Sequence, residues 1–170
     1  MPPPVNRILG LDMSLRSSGL AVIDSAGSAL KIVEYRLVKN PPGRPVAECL
    51  LQIFRGVEDV LSRCRPGAAA IEDIFFCKNF RTAALLGQAR GAALAACAAA
   101  GLPVFEYAPR RVKQAVAGYG AAGKEQVKNM VMRLLALSDE PHDDASDALA
   151  VAICHAHAAR FESLLEKSRR

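Results

Sequence analysis

The chain has 170 residues, a length that suits one ordinary domain and is short for two well-cored ones. Hydrophobic residues make up 51% and charged residues 23%, which supplies a buried core and argues against wholesale disorder. The net charge of +5 is a mild basic surplus, suited to a polyanionic partner without establishing one, and the longest apolar stretch, Ala92 to Ala100, is far too short to cross a bilayer.

Elements can be read in order along the chain. Arg7 to Asp12 is a short apolar run ending in an acid, and Gly19 to Asp24 is another, so both read as strands with a turn between them. Ala29 to Val38 alternates well enough for a third strand. Asn40-Pro-Pro-Gly-Arg-Pro45 breaks the pattern, and Pro45 can open a helix reaching about Arg63, with Val46, Leu50, Ile53, Val57, Val60 and Leu61 at helical spacing. After Pro66-Gly67, Ala68 to Ile74 reads as a fourth strand carrying Glu72. Thr82 to Ala100 is an alanine-rich helix stopped by Gly101 and Pro103. Val104 to Tyr107 is a brief fifth strand, and helices follow over Arg110 to Val116, Lys124 to Leu135 and Asp144 to His157. The order predicts an α/β fold with a mixed five-stranded sheet flanked by helices, strands one to three meandering. One domain over 1–170 is expected, with short tails at about 1–5 and 162–170.

Three further readings narrow the class. The first residues, Met1-Pro-Pro-Pro-Val-Asn-Arg7, lack the apolar run of a signal peptide. Cys49, Cys64, Cys77, Cys97 and Cys154 are scattered and odd in number, a pattern that fits reduced core thiols and a cytoplasmic location. Charge is uneven: Glu106 to Arg133 holds six bases (Arg110, Arg111, Lys113, Lys124, Lys128, Arg133) and two acids. Asp139 to Asp147 holds five acids and no base. A basic stretch beside an acidic knot suits a phosphodiester enzyme with bound metal, although two unrelated solvated helix faces would give the same tally.

Four carboxylates stand where propensity alone would not put them. Asp12 ends an apolar strand, Glu72 sits inside another, and Asp144 and Asp147, three apart at a helix start, share one face. Singly, each has an ordinary explanation as a turn-former or helix cap. Jointly, acids from two strands and a helix predict a metal cluster, and an oxygen-only donor set suits Mg²⁺, with Mn²⁺ as a substitute. Gly118-Tyr-Gly120-Ala-Ala-Gly123-Lys124 mimics both nucleotide-binding glycine patterns. However, the preceding segment is too basic for a buried strand, and Glu125 stands where a phosphate loop needs Ser or Thr. Lys124 at a helix start is still a plausible phosphate contact. His142, beside the acid knot, reads as a proton shuttle, a phosphate contact or a plain loop residue. His155 and His157, two apart on a helix, read as packing residues. Phe75 and Phe76 follow the Glu72 strand as core residues, or as one core residue and one base-stacking residue.

At these residues the chain resembles the RuvC family of Holliday-junction resolvases, which have an RNase H-like fold. The stretches that carry the resemblance are Ala70-Ile-Glu72-Asp-Ile-Phe-Phe-Cys-Lys-Asn79 with Leu86-Gly-Gln-Ala-Arg-Gly91, then Pro103-Val-Phe-Glu-Tyr107 with Val112-Lys-Gln114, and Asp144-Ala-Ser-Asp147-Ala-Leu-Ala150. The resemblance implies a catalytic and metal-binding tetrad of Asp12, Glu72, Asp144 and Asp147, a junction-wedging aromatic at Phe75 and phosphate-binding lysines at Lys113 and Lys124. Arg111, in the same basic stretch, is grouped with these as a DNA contact. It implies a homodimer that binds a four-way DNA junction and nicks two strands symmetrically with two Mg²⁺ ions per active site, alongside a branch-migration helicase complex. One departure stands out: the family usually reads Asp-Pro-Gly where this chain has Asp12-Met13-Ser14, which bears on how DNA approaches Asp12. The alternatives are a branched-DNA-binding module that does not cut and an RNase H-like nuclease acting on RNA or a hybrid. An actin-like sugar kinase shares the strand–Asp–turn–strand opening but needs a second half that this length cannot hold.

Overall fold

The computed structural model describes residues 5–74 and 79–168. Five strands, β1 (Asn6–Asp12), β2 (Ser17–Ala26), β3 (Ala29–Lys39), β4 (Ala68–Glu72) and β5 (Val104–Tyr107), form one sheet in the spatial order β3-β2-β1-β4-β5. The first three make an antiparallel meander, and β4 and β5 add on parallel to β1. Helices α1 (Val46–Cys64) and α2 (Phe80–Ala99) cover one face; α3 (Pro109–Ala117), α4 (Lys124–Leu134) and α5 (Asp143–Ser168) cover the other. This is the mixed five-stranded α/β architecture that the element order predicts.

The two-residue period of the strands divides the core. Leu9, Leu11, Leu20, Val22, Ala69 and Ile71 point to the α1/α2 side, where they meet Ile53, Val57, Ala89 and Ala93. Ile8, Ala21, Ile23 and Ala70 point the other way, toward α5. Every second residue therefore faces α5, and continuing that count assigns Asp12, Ser17, Gly19 and Glu72 to the same side.

Helix α5 carries mostly small and apolar residues where it packs. From Ala145 to Ala156 it is buried nearly all round, between the sheet and the α3/α4 pair. It lies against bare backbone: a Cβ on Gly10 would come within 2.9 Å of the Ala148 carbonyl carbon, and one on Gly19 within 2.5 Å of that of Asp144. Small residues here bring the helix start down onto the ends of β1 and β2.

Several boundaries differ from expectation: β2 runs from Ser17 to Ala26 rather than Gly19 to Asp24, and β4, α2 and α5 also differ. β4 stops at Glu72 rather than Ile74, because its neighbour β5 ends opposite it at Tyr107 and the chain then turns into α3 at Pro109. Helix α2 starts at Phe80, capped by the Asn79 side chain, which accepts from the Arg81 N–H at 2.8 Å. The last helix does not end at His157, and 162–168 is not a tail. Neither glycine nor proline interrupts Asp143 to Ser168, so α5 continues past the sheet and leaves Phe161, Leu164 and Leu165 exposed. Cys49, Cys64, Cys97 and Cys154 are buried free thiols, as their scatter suggests.

Candidate active site

β1 and β4 are parallel neighbours with Leu11 opposite Ile71, so the next residues, Asp12 and Glu72, end adjacent strands side by side and face α5. Close docking of α5 adds Asp147 to the group. Asp12, Glu72 and Asp147 line a cavity of about 230 Å³ together with Lys113 and Lys124, over a floor of Val112, Val127 and Ala150. A second cavity of about 410 Å³ shares Asp12 and Glu72 and extends past Met13, Leu86 and Arg90 to Ile74 and Pro109. Asp144 sits at the edge of the group, its Oδ2 accepting a hydrogen bond from the Ser17 hydroxyl.

The acids repel one another. Burial, followed by the charges of Asp147, Asp144 and Glu72, pushes the Asp12 carboxyl up to about 7. Glu72 is raised by burial and then by Asp147. Burial also raises Asp147, against the pull of Lys124. Lys124 places its Nζ 3.4 Å from both Asp143 Oδ2 and Asp147 Oδ2. Burial works against the Lys124 charge, but the two aspartates outweigh it and raise the ammonium. Among the described residues no three side chains are already closed around a single metal position. The donor set nevertheless fits hard divalent cations: all four groups are carboxylates, and mutual repulsion is what such a cation relieves.

The surrounding shell fixes these groups. Lys128, nearly buried, bonds Asp143 Oδ1 at 2.9 Å and pairs with Glu140, tying α4 to the start of α5. Arg90 Nη1 donates to the Glu72 carbonyl at 2.5 Å and Nη2 to Glu106 Oε2 at 2.5 Å, holding the end of β4. His142 Nδ1 accepts from the Asp144 N–H at 3.3 Å and lies 3.6 Å from Asp144 Oδ2, a helix-start position at the rim of the site. The turn at Met13-Ser14 is closed by side chains: Ser14 Oγ donates to the Ser17 carbonyl at 2.6 Å, and Ser18 Oγ to the Ser14 carbonyl at 2.7 Å.

Of the residues singled out in the sequence, Asp12, Glu72, Asp147, Lys113 and Lys124 share one cavity and Asp144 and His142 adjoin it. Arg111 does not join them; it lines a separate concavity of about 220 Å³ with His157 and Phe161. Phe75, with Phe76 and Cys77, lies outside the described residues. The Gly118–Lys124 segment follows a helix rather than a strand, which disposes of the nucleotide-loop patterns; Gly118 ends α3 in a left-handed conformation and Gly123 caps α4. His155 and His157 are packing residues, bonded to the Tyr107 hydroxyl at 2.7 Å and the Ala115 carbonyl at 3.0 Å. Sequence reasoning missed Ser17, Arg90 and Lys128 as partners of the site. Arg90 lies within one of the stretches that carry the resemblance, but nothing in the local sequence of Ser17 signals its carboxylate partner.

The family model for crossover junction endodeoxyribonuclease RuvC matches residues 8–155. Among curated proteins, the crossover junction endodeoxyribonuclease RuvC of Chloroflexus aggregans is 48% identical over 154 residues, covering 90% of this chain and 94% of its own. That of Pelotomaculum thermopropionicum is 48% identical over 160 residues, covering 94% and 98%. Among solved structures, T. thermophilus RuvC in complex with a Holliday junction substrate superposes with a TM-score of 0.88 at 38% identity, covering 93% of this chain and 97% of that one.

Proposed function

Because this chain belongs to the RuvC family of crossover junction endodeoxyribonucleases, we propose that its carboxylate-lined cavity cuts four-way DNA junctions by paired symmetric nicks in recombination and repair. The observation that carries the reading is the convergence of Asp12, Glu72 and Asp147 with Lys113 and Lys124 in one cavity, acids for a cation beside bases for a phosphate. Asp12, Glu72, Asp144 and Asp147 would hold Mg²⁺, or Mn²⁺ in its place, two ions to a site. Bound cations supply charge stabilisation for the leaving oxygen and a more acidic attacking water.

The remaining chemistry belongs to the chain's own side chains. Lys113 and Lys124 hold phosphates by charge, independent of base sequence. Lys124 is paired with Asp143 and Asp147. A phosphate entering the cavity therefore competes with those carboxylates for the ammonium. Arg90 fixes the backbone at Glu72, so that the carboxylate faces the scissile group from a rigid strand end. In-line attack by water leaves a 5′-phosphate and a 3′-hydroxyl. Two nicks at symmetric positions call for two such sites, hence a homodimer, acting in the cytoplasm alongside a branch-migration helicase. No helix among the described residues is long and apolar enough to cross a membrane.

The test is cleavage of a labelled four-way junction with Mg²⁺, run beside linear duplex, an RNA–DNA hybrid and an EDTA control. Paired symmetric nicks on the junction alone are expected. Glu72→Gln should abolish them while junction binding persists. Tight binding without cutting in either Mg²⁺ or Mn²⁺ would refute the nuclease reading, and preferred cleavage of the hybrid would refute the substrate.

A further inference from the structure

We propose that Ser17 is a positioning residue of the active site: its hydroxyl, by holding Oδ2 of Asp144, turns the other carboxylate oxygen toward the cation position. The inference rests on the cation reading above. Ser17 is the first residue of β2, opposite Lys39, on the strand face turned to α5, two residues before Gly19, whose missing side chain lets the start of α5 come close. There its Oγ donates to Asp144 Oδ2. His142 Nδ1 lies nearest the same oxygen. Among the described residues no hydrogen bond falls on Asp144 Oδ1, so that oxygen is the one left for a ligand.

The hydroxyl is presented from a fixed turn. The Ser17 N–H donates to Ser14 Oγ at 3.2 Å, and the Ser17 carbonyl accepts from the same hydroxyl at 2.6 Å. Ser18 Oγ closes the turn by accepting from the Ser14 N–H at 3.2 Å and donating to the Ser14 carbonyl at 2.7 Å. On the outside, the Asn40 N–H donates to the Arg16 carbonyl and Asn40 Nδ2 to the Leu15 carbonyl, both at 2.9 Å. Met13 and Leu15 are buried on either side of Ser14. The stretch where the family usually carries Pro-Gly is thus the start of a serine-closed turn from which the Ser17 hydroxyl reaches Asp144. An aspartate carboxyl rotates broadly about its last bond when nothing holds it. A hydrogen bond from a rigid donor removes that freedom before the ion arrives, and losing such a partner typically weakens metal affinity about 10–100-fold.

The test is Mn²⁺ binding to the full chain, followed by the electron paramagnetic resonance signal of free Mn²⁺. The parent is compared with Ser17→Ala, Ser17→Thr, Asp144→Asn and the Ser17→Ala/Asp144→Asn double variant; junction affinity in EDTA is measured alongside. Ser17→Ala should bind Mn²⁺ about 10–100-fold more weakly. Ser17→Thr, which keeps the hydroxyl, should restore affinity, and the double variant should be no weaker than Asp144→Asn alone. Junction affinity in EDTA should stay at the parent value in Ser17→Ala, which a general structural defect would not allow. Parent-like Mn²⁺ affinity in Ser17→Ala, with Asp144→Asn weakened, would overturn the positioning role. Parent-like affinity in Asp144→Asn itself would overturn the cation reading on which it stands.

Discussion

Gly19→Ala tests the contact that assembles the site. A methyl group there would lie 2.5 Å from the Asp144 carbonyl carbon and 3.1 Å from the Ala145 nitrogen, and closer still to the Asp144 carbonyl oxygen. Ordinary contact begins near 3.4 Å, so clearing the Asp144 carbonyl oxygen requires the start of α5 to retreat by about 1.5 Å, and because the obstacle is backbone no side chain can swing aside. Overpacking of this kind costs about 1–3 kcal/mol, and a backbone obstacle belongs at the upper end. With a urea slope of about 2 kcal/mol per molar, the unfolding midpoint should fall by about 1–1.5 M. The retreat carries Asp144 and Asp147 away from Asp12, and a displacement of about 1 Å at reacting groups costs about 100-fold in rate. Urea titration followed by single-turnover junction cleavage reads both effects. Gly67→Ala is the control, since its methyl would meet only the Arg7 carbonyl, at 3.9 Å. A Gly19→Ala protein with the parent midpoint and the parent rate would refute the reasoning.

Two further outcomes follow from the charges. Asp12 carries a pKa of about 7 in the cation-free fold against an ordinary 3.8, so the folded chain keeps a proton that the unfolded chain releases, and stability drawn from this group is lost as pH rises between those values. In EDTA, Asp12→Asn, which mimics the protonated acid, should therefore unfold at the parent temperature near pH 3.8, gain on it as pH rises, and hold a constant lead above about 7. A lead that shrinks with pH would show that Asp12 is not crowded by its fellow acids. Lys124→Met should weaken junction binding at low salt and flatten the plot of log affinity against log salt by about 0.9, the share of one phosphate contact; an unchanged slope would remove Lys124 from the DNA path.

What the sequence reveals of the site is what strand periodicity and element order can carry. An apolar run that stops at Asp12, and a second that places Glu72 on the same alternation as Ala70, are enough to predict an acid on each of two strands; that the strands are parallel neighbours and that β4 ends at Glu72 comes from the structure. The small residues of α5 are visible too, though only the docked helix shows that Gly10 and Gly19 are the positions its backbone requires bare. Ser17 could not be read this way. Its partner lies 127 residues on, and the bond exists only because α5 comes down at Gly19. Arg90 is similar: a charged residue on the buried side of an alanine-rich helix marks an exception, but besides Glu106 its target at the site is a backbone carbonyl, which leaves no trace in sequence. Arg111 shows the opposite failure. Charge density grouped it with Lys113, yet two residues along a helix is about 200° of rotation, enough to send the two side chains to different cavities. Local patterns therefore identify residues that come to line one cavity. The groups that aim them are chosen by contacts between distant segments, which is why the positioning shell emerges only once the sheet and α5 are packed together.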